Sequence, residues 1–158
     1  MAGAATTTEQ ITAFAPMNVA RPLLVELQFY VKTYDIDYAG IVHNAVYIRW
    51  LEDLRLEILS NNFPMEEMLA QNKSPVLEKT EISYVRPLRL FDKPVGRMWV
   101  SNFRRARWYI EAEIVLDDLP VATAAQSGYF MDLERFRPIR IPQQQREIWA
   151  SEATSDSL

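Results

Sequence analysis

The feature that most restricts what this chain can fold into is one amphipathic helical stretch followed by nothing but strands. From Asn44 onward, Tyr47, Leu51, Leu54 and Ile58 recur at i, i+4, i+7 and i+11, laying one apolar face along several turns. Arg49, Glu52, Asp53 and Glu57 fill the remaining positions. The pattern fades at Asn61-Asn62, and Pro64 blocks continuation because it lacks an N–H and clashes with the preceding turn. A short helical piece is expected over residues 65–71. Upstream, residues 23–33 alternate, with Val25, Leu27, Phe29 and Val31 on one side and Glu26, Gln28, Tyr30 and Lys32 on the other. That period of two predicts a strand with one buried face.

Four more strands are expected after the helix, over residues 76–85, 95–103, 107–116 and 121–131. In the third of these, Trp108, Ile110, Ala112, Ile114 and Leu116 alternate with Tyr109, Glu111 and Glu113. Tight turns fall at Arg104-Arg105-Ala106 and over residues 117–120. The last strand is rich in alanine and carries Gln126, Ser127 and Gly128, so something packs closely against it. Hairpin spacing speaks for an antiparallel sheet and against repeated βαβ units. The predicted class is therefore α+β: one long helix wrapped by a five-stranded antiparallel sheet. The expected organisation is a flexible N-terminal arm over residues 1–20, a single domain over 21–142 and a polar tail over 143–158. Within that tail, residues 146–150 are expected to form one exposed helical turn. Trp99 and Trp108 are expected to lie exposed on the sheet, which together with open strand edges favours an oligomer.

Composition narrows the chemistry. With 158 residues the chain can bury a real core, and a net charge of −4 argues against bulk nucleic-acid binding. There is no cysteine and one histidine, His43, which excludes thiolate zinc sites, a cysteine nucleophile and a histidine-rich metal centre. No G-x-S-x-G elbow accompanies His43 to build a serine triad. No apolar run reaches the roughly 18 residues of a membrane span, and the first residues lack a basic start and an apolar stretch. The expectation is a soluble cytoplasmic protein.

The candidate site lies where the first strand hands over to the helix, in Asp37-Tyr38-Ala39-Gly40-Ile41-Val42-His43-Asn44. A carboxylate just before a helix start sits near unpaired backbone N–H groups carrying partial positive charge. That combination both attacks and polarises a carbonyl. The plainer alternative is that Asp37 only caps a turn. Asp35 is a rival carboxylate. Gly40 permits a tight backbone turn, and His43 either touches substrate, tunes Asp37 or packs half-exposed. Tyr47 and Trp50 line a pocket or belong to the core; Glu52 and Arg55 form a helix pair.

These residues resemble the hot-dog-fold thioesterases, specifically the 4-hydroxybenzoyl-CoA thioesterase-like group. The match runs through Asp37, Gly40, Val42, Tyr47, Glu52 and Arg55, then Tyr84, Pro87, Arg89 and Asp92, and ends on Arg137 to Pro142. The resemblance implies hydrolysis of an acyl-CoA to free acid and coenzyme A, without metal or organic cofactor. It implies that Asp37 is the catalytic carboxylate, as base or nucleophile, and that the Asn44 N–H polarises the thioester carbonyl. It also implies a homodimer or homotetramer with the acyl pocket between subunits. His43-Asn44 departs from relatives that place a histidine one position later, so their histidine's role does not transfer. Gly40, His43, Tyr47, Arg86, Arg104 and Arg105 are the expected substrate contacts, the arginines through the phosphates of coenzyme A. Arg89 and Arg107 extend that basic set, and Gln126 and Ser127 offer contacts from a partner subunit. An acyl-carrier-protein ester as substrate, or a non-catalytic acyl-binding module, are the alternatives. Aromatic and fatty acyl groups both stay open.

Overall fold

A computed structural model of the chain describes residues 19–155. The arm expected over residues 1–20 lies, but for its last two residues, outside that part. The elements run β1 (Val25–Gln28), α1 (Asn44–Asn62), α2 (Met65–Ala70), β2 (Lys73–Tyr84), β3 (Val95–Arg104), β4 (Arg107–Leu116), β5 (Leu119–Asp132), a two-residue β6 (Arg137–Pro138) and α3 (Gln143–Ser155). The sheet is antiparallel throughout in the order β1-β3-β4-β5-β2, with β6 pairing the end of β5. This is the expected hot-dog arrangement, a helix packed on one face of a curled sheet.

The strand alternation holds. Trp108, Ile110, Ala112 and Ile114 are buried toward the helix, while Glu111 is exposed on the other face. From α1, Val46, Tyr47, Trp50, Leu51, Leu54 and Ile58 are buried against that inner face. Each contributes about 1.5–3 kcal/mol of burial, which outweighs the weak amphipathicity of the helix as a whole. The first strand is shorter than its pattern, four residues where eleven alternate. Phe29 and Val31 nevertheless stay buried, because their N–H groups bond Pro94 O at 2.8 Å and Asp92 O at 3.3 Å in a loop instead of a ladder.

Close approach at the sheet is real. A Cβ on Gly128 would lie 2.0 Å from the Val76 carbonyl oxygen and 2.4 Å from the Trp108 ring. The tight β4–β5 turn at Asp117-Asp118 places both residues at positive φ, 54° and 57°, the twist that suits a two-residue hairpin.

Two sequence expectations are overturned. Trp99 and Trp108 are each only 6% exposed, so they do not furnish apolar surface for an oligomer. Trp108 faces the helix, and Trp99 is covered on the outer face by the Arg21 guanidinium, 4.3 Å from its ring centroid. Arg21 is in turn held by Glu113 at 2.8 Å. The expected polar tail is a 13-residue helix docked on the body. Trp149 Nε1 donates to Val100 O at 2.8 Å, Gln145 Nε2 donates to Asn62 O at 3.2 Å, and Glu152 accepts the Leu23 N–H at 2.6 Å. The segment reads as polar because only one narrow edge of it is buried.

The register gives the molecule two distinct ends. Tyr84, Ala122, Val95 and Val115 lie at the end where α1 begins. Lys73, Asp132 and the Arg104–Arg107 turn lie at the other, where Asn62 and α3 meet. At 1.5 Å per residue the helix separates these ends by about 28 Å.

Replacing Gly128 with alanine forces a methyl into rigid backbone and a buried indole. It should lower unfolding free energy toward the upper end of about 1–3 kcal/mol, read by urea denaturation.

Candidate active site

The loop between β1 and α1 is built as a miniature hairpin. Ile36 and Val42 form an isolated antiparallel bridge, the Asp37 N–H donates to Ile41 O at 2.9 Å, and the Gly40 N–H donates to Asp37 O at 3.0 Å. Gly40 sits at φ +77°, a conformation that costs glycine nothing and strains other residues. Two further bonds fix this hairpin to the body: Val42 N–H to Leu88 O at 2.9 Å and His43 N–H to Asp35 O at 2.8 Å.

The two carboxylates divide the labour. Asp35 is 4% exposed, accepts the Lys32 N–H at 2.9 Å and pairs with Arg49 Nη2 at 2.9 Å. Both its oxygens are committed, so the rival site residue is a structural clamp. Asp37 is half-exposed; its Oδ1 accepts the Ala39 N–H at 2.8 Å and the Ile41 N–H at 3.4 Å. Its Oδ2 has no hydrogen-bond partner among the described residues. The turn-capping reading and the reactive reading of Asp37 therefore coexist on one side chain, one oxygen each.

His43 is the helix N-cap, with φ −63° and ψ 139°, and its Nδ1 accepts the Ala45 N–H at 3.0 Å. Neither a packing role nor a substrate role anticipated this; the signal was only its place one residue before the helix. The Val46 N–H is also satisfied, by His43 O at 2.9 Å. The Asn44 N–H, the first of the helix, has no partner among the described residues. It remains a free donor at the positive end of α1.

Beneath the loop lies an aromatic bed. Tyr47 is 3% exposed, edge-on to Tyr84 at 5.1 Å and to Trp50 at 5.4 Å, and Trp50 stacks on Phe29 at 5.0 Å. Burial first, then the neighbouring Tyr84 and Asp92, push the Tyr47 phenol up to about 12. Tyr84 is half-exposed, and its hydroxyl reaches Asn44 O only at 3.5 Å, the outer limit of a hydrogen bond.

The remaining expected residues do not gather here. Arg86 is spent on structure: its guanidinium donates to Pro120 O at 2.9 Å, Leu119 O at 3.0 Å and Leu116 O at 3.3 Å, stapling the β4–β5 turn. Arg104 and Arg105 stand exposed on the β3–β4 turn, at the far end of the same protomer from Asp37. Arg55 pairs with Glu52 and also donates to Gln126 Oε1 at 2.9 Å, while Gln126 Nε2 donates to Thr80 Oγ1 at 3.0 Å. That chain of bonds ties α1 to β5 and the edge strand β2, a link that helix spacing alone did not reveal.

Residues 31–148 match the model of the thioesterase-like superfamily. The chain belongs to that superfamily. Among its relatives, an acyl-acyl carrier protein thioesterase of Arabidopsis thaliana chloroplasts, ATL3, is 28% identical over 120 residues, or 74% of this chain and 63% of ATL3. The chain thus spans less than two thirds of that relative. The acyl-CoA thioesterase YbgC of Haemophilus influenzae is 27% identical over 112 residues, 70% of this chain and 82% of YbgC. A Thermus thermophilus thioesterase solved with coenzyme A and zinc superposes with a TM-score of 0.72 at 22% identity, covering 85% of this chain and 96% of that one. This likeness supports the hot-dog fold. Among the described residues, no helix is long and apolar enough to cross a membrane.

Two expectations follow from the geometry. His43→Ala removes the cap and should cost about 1 kcal/mol of stability by thermal or chemical denaturation, whereas His43→Asn, which can cap, should cost less. For Tyr47, the unfolded phenol ionises near pH 10 and the folded one near 12, so folding stability is intact below pH 10 and declines as pH rises to 12. Denaturant titrations should show a loss on the order of 2–3 kcal/mol across that window, absent from Tyr47→Phe.

Proposed function

We propose that this superfamily member hydrolyses a thioester, releasing a free carboxylic acid and a pantetheine thiol. The observation that carries the reading is the pairing of functions in one short loop. Asp37 keeps an uncommitted carboxylate oxygen beside a helix whose first N–H, on Asn44, is unpartnered. The Asn44 N–H donates a hydrogen bond to the carbonyl oxygen as negative charge grows there, and a removed donor of this type costs roughly 3–4 kcal/mol of barrier. Asp37 Oδ2 takes a proton from water, or attacks the carbonyl carbon to form a mixed anhydride that water then opens. In either route the thiolate leaves and the carboxylate is regenerated. Gly40 shapes the turn that presents Asp37, while Asp35 and Arg49 hold the loop in register.

The carrier of the acyl group is coenzyme A, in line with YbgC, or acyl carrier protein, in line with ATL3. In this reading the active unit contains two copies. β2 is the sheet's edge over 12 residues, so its outward N–H and C=O groups are free to pair with the same strand of a second copy. Antiparallel pairing of two β2 strands sets the Tyr84 end of one beside the Lys73 end of the other. Asp37 of one copy then stands near the arginine-bearing turn of the second, which gives Arg104 and Arg105 a substrate to meet.

The test is thiol release from aromatic and aliphatic acyl-CoA esters. Asp37→Asn should lower kcat by about 10²–10⁴-fold with the fold intact by circular dichroism. Asp35→Asn should instead cost about 1–3 kcal/mol of stability. Full activity in Asp37→Asn would sink the assignment, and absence of thiol release from every CoA and carrier-protein ester would sink the reading as an enzyme.

A further inference from the structure

The far end of the sheet concentrates positive charge that no ion pair among the described residues neutralises. Arg104 and Arg105 project from the β3–β4 turn, Arg135 and Arg137 from the β5–β6 hairpin, and Arg140 from the strap leading to α3; all five are exposed. The Ile141 N–H donates to Arg105 O at 2.8 Å, and Arg137 lies opposite Asp132 in the ladder, so the three segments form one rim. None of the five has an ion-pair partner among the described residues. Of the nearby carboxylates, Glu78 pairs with Arg107, and Asp132, opposite Arg137 in the ladder, accepts the Glu134 and Arg135 N–H groups at 3.0 Å each through Oδ1. Among the described residues, Glu134 in the hairpin and Glu66 and Glu67 on α2 are further exposed carboxylates at this end, and none of them pairs with the five arginines. At its tip Phe136 is 71% exposed at φ 50°, an aromatic presented to solvent amid guanidinium groups.

A chain of net charge −4 that gathers five unpaired arginines on one rim has a local field opposite in sign to its global one. Such a patch attracts and orients an acidic partner while the remaining surface repels other approaches. The exposed Phe136 among the five arginines suits a macromolecular surface better than the phosphates of a free nucleotide. We infer that this rim docks an acidic acyl carrier protein, and that it serves Asp37 of the second copy rather than its own. The inference rests on the two-copy hydrolase proposed above and decides between its two carriers. The distance of about 28 Å along α1 puts the rim beyond its own Asp37, whereas antiparallel pairing through β2 brings it beside the other's.

The experiment compares wild type with the charge-reversed triple variant Arg135→Glu, Arg137→Glu, Arg140→Glu. Binding of apo acyl carrier protein is followed by fluorescence anisotropy across a salt series, and turnover is measured with octanoyl esters of carrier protein, coenzyme A and pantetheine. Wild-type binding should weaken steeply with salt, and the variant should lose carrier binding and carrier-ester kcat/KM by about tenfold or more, keeping pantetheine-ester turnover. Mixing the variant with Asp37→Asn protein should restore carrier-ester turnover, because each supplies what the other lacks. Unchanged carrier binding in the variant overturns the proposal. An equal loss with coenzyme A makes the rim a nucleotide contact, and failure of the mixture to recover places the rim in its own copy's service; each refutes it. Wild type inert toward all three esters refutes the hydrolase reading, while carrier binding still reports on the rim.

Discussion

The structure depends on burying the apolar face of α1 in the curve of the sheet. Leu54 is fully buried, and a Cβ at Gly96 would meet its side chain at 2.9 Å and that of Phe29 at 2.5 Å, so helix and sheet touch where a larger residue would separate them. The Arg55–Gln126–Thr80 bonds fasten the same helix to the sheet through polar groups. Because the helix is held along its length, its first turn is held too. A free N–H at Asn44 is useful only if its position is fixed, and a donor that needs no reorganisation is worth most to a developing charge.

The loop ahead of the helix extends that rigidity to a carboxylate. Asp35 turns inward and is consumed by Arg49 and the Lys32 N–H, which anchors the backbone. Two residues later Asp37 turns outward, using one oxygen to brace the turn and leaving the other. The buried aspartate stabilises the loop and the half-exposed one is available for chemistry; the two side chains diverge because Asp35 ends the 3-10 turn Thr33–Asp35 while Asp37 opens the hairpin turned at Gly40.

Charge is arranged along the long axis of the protomer. The half-exposed Asp37 carboxylate sits ahead of the start of α1, and the arginines unpaired among the described residues sit beyond its end, with the 12-residue edge strand β2 connecting the two. In the two-copy unit proposed above, a two-fold axis across that edge exchanges the ends. In that arrangement, the separation that keeps Asp37 away from its own arginines places it beside those of a second copy.

Much of this was legible in the residues. Periods of 3.6 and 2 report which face is buried, so α1, β3, β4 and β5 and the inner set Ile110, Ala112 and Ile114 followed from spacing alone. Asp37, Gly40 and Asn44 were legible as a candidate site because a glycine turn and a helix start have local signatures. Three things were not. The docking of α3 hangs on Trp149, Gln145 and Glu152 reaching groups 49, 83 and 129 residues away in sequence, which no local pattern encodes. Trp99 is exposed by pattern and covered in fact, because Arg21 lies over it. Arg86 and Arg105 look alike as residues, yet three carbonyls surround the first and solvent the second. The sequence by itself determined the elements and the chemistry available in the loop, since both depend on neighbours along the chain. Which carboxylate is spent and which is free, and which arginines remain unpaired, was decided only by tertiary structure, because hydrogen-bond partners are set by distance in space.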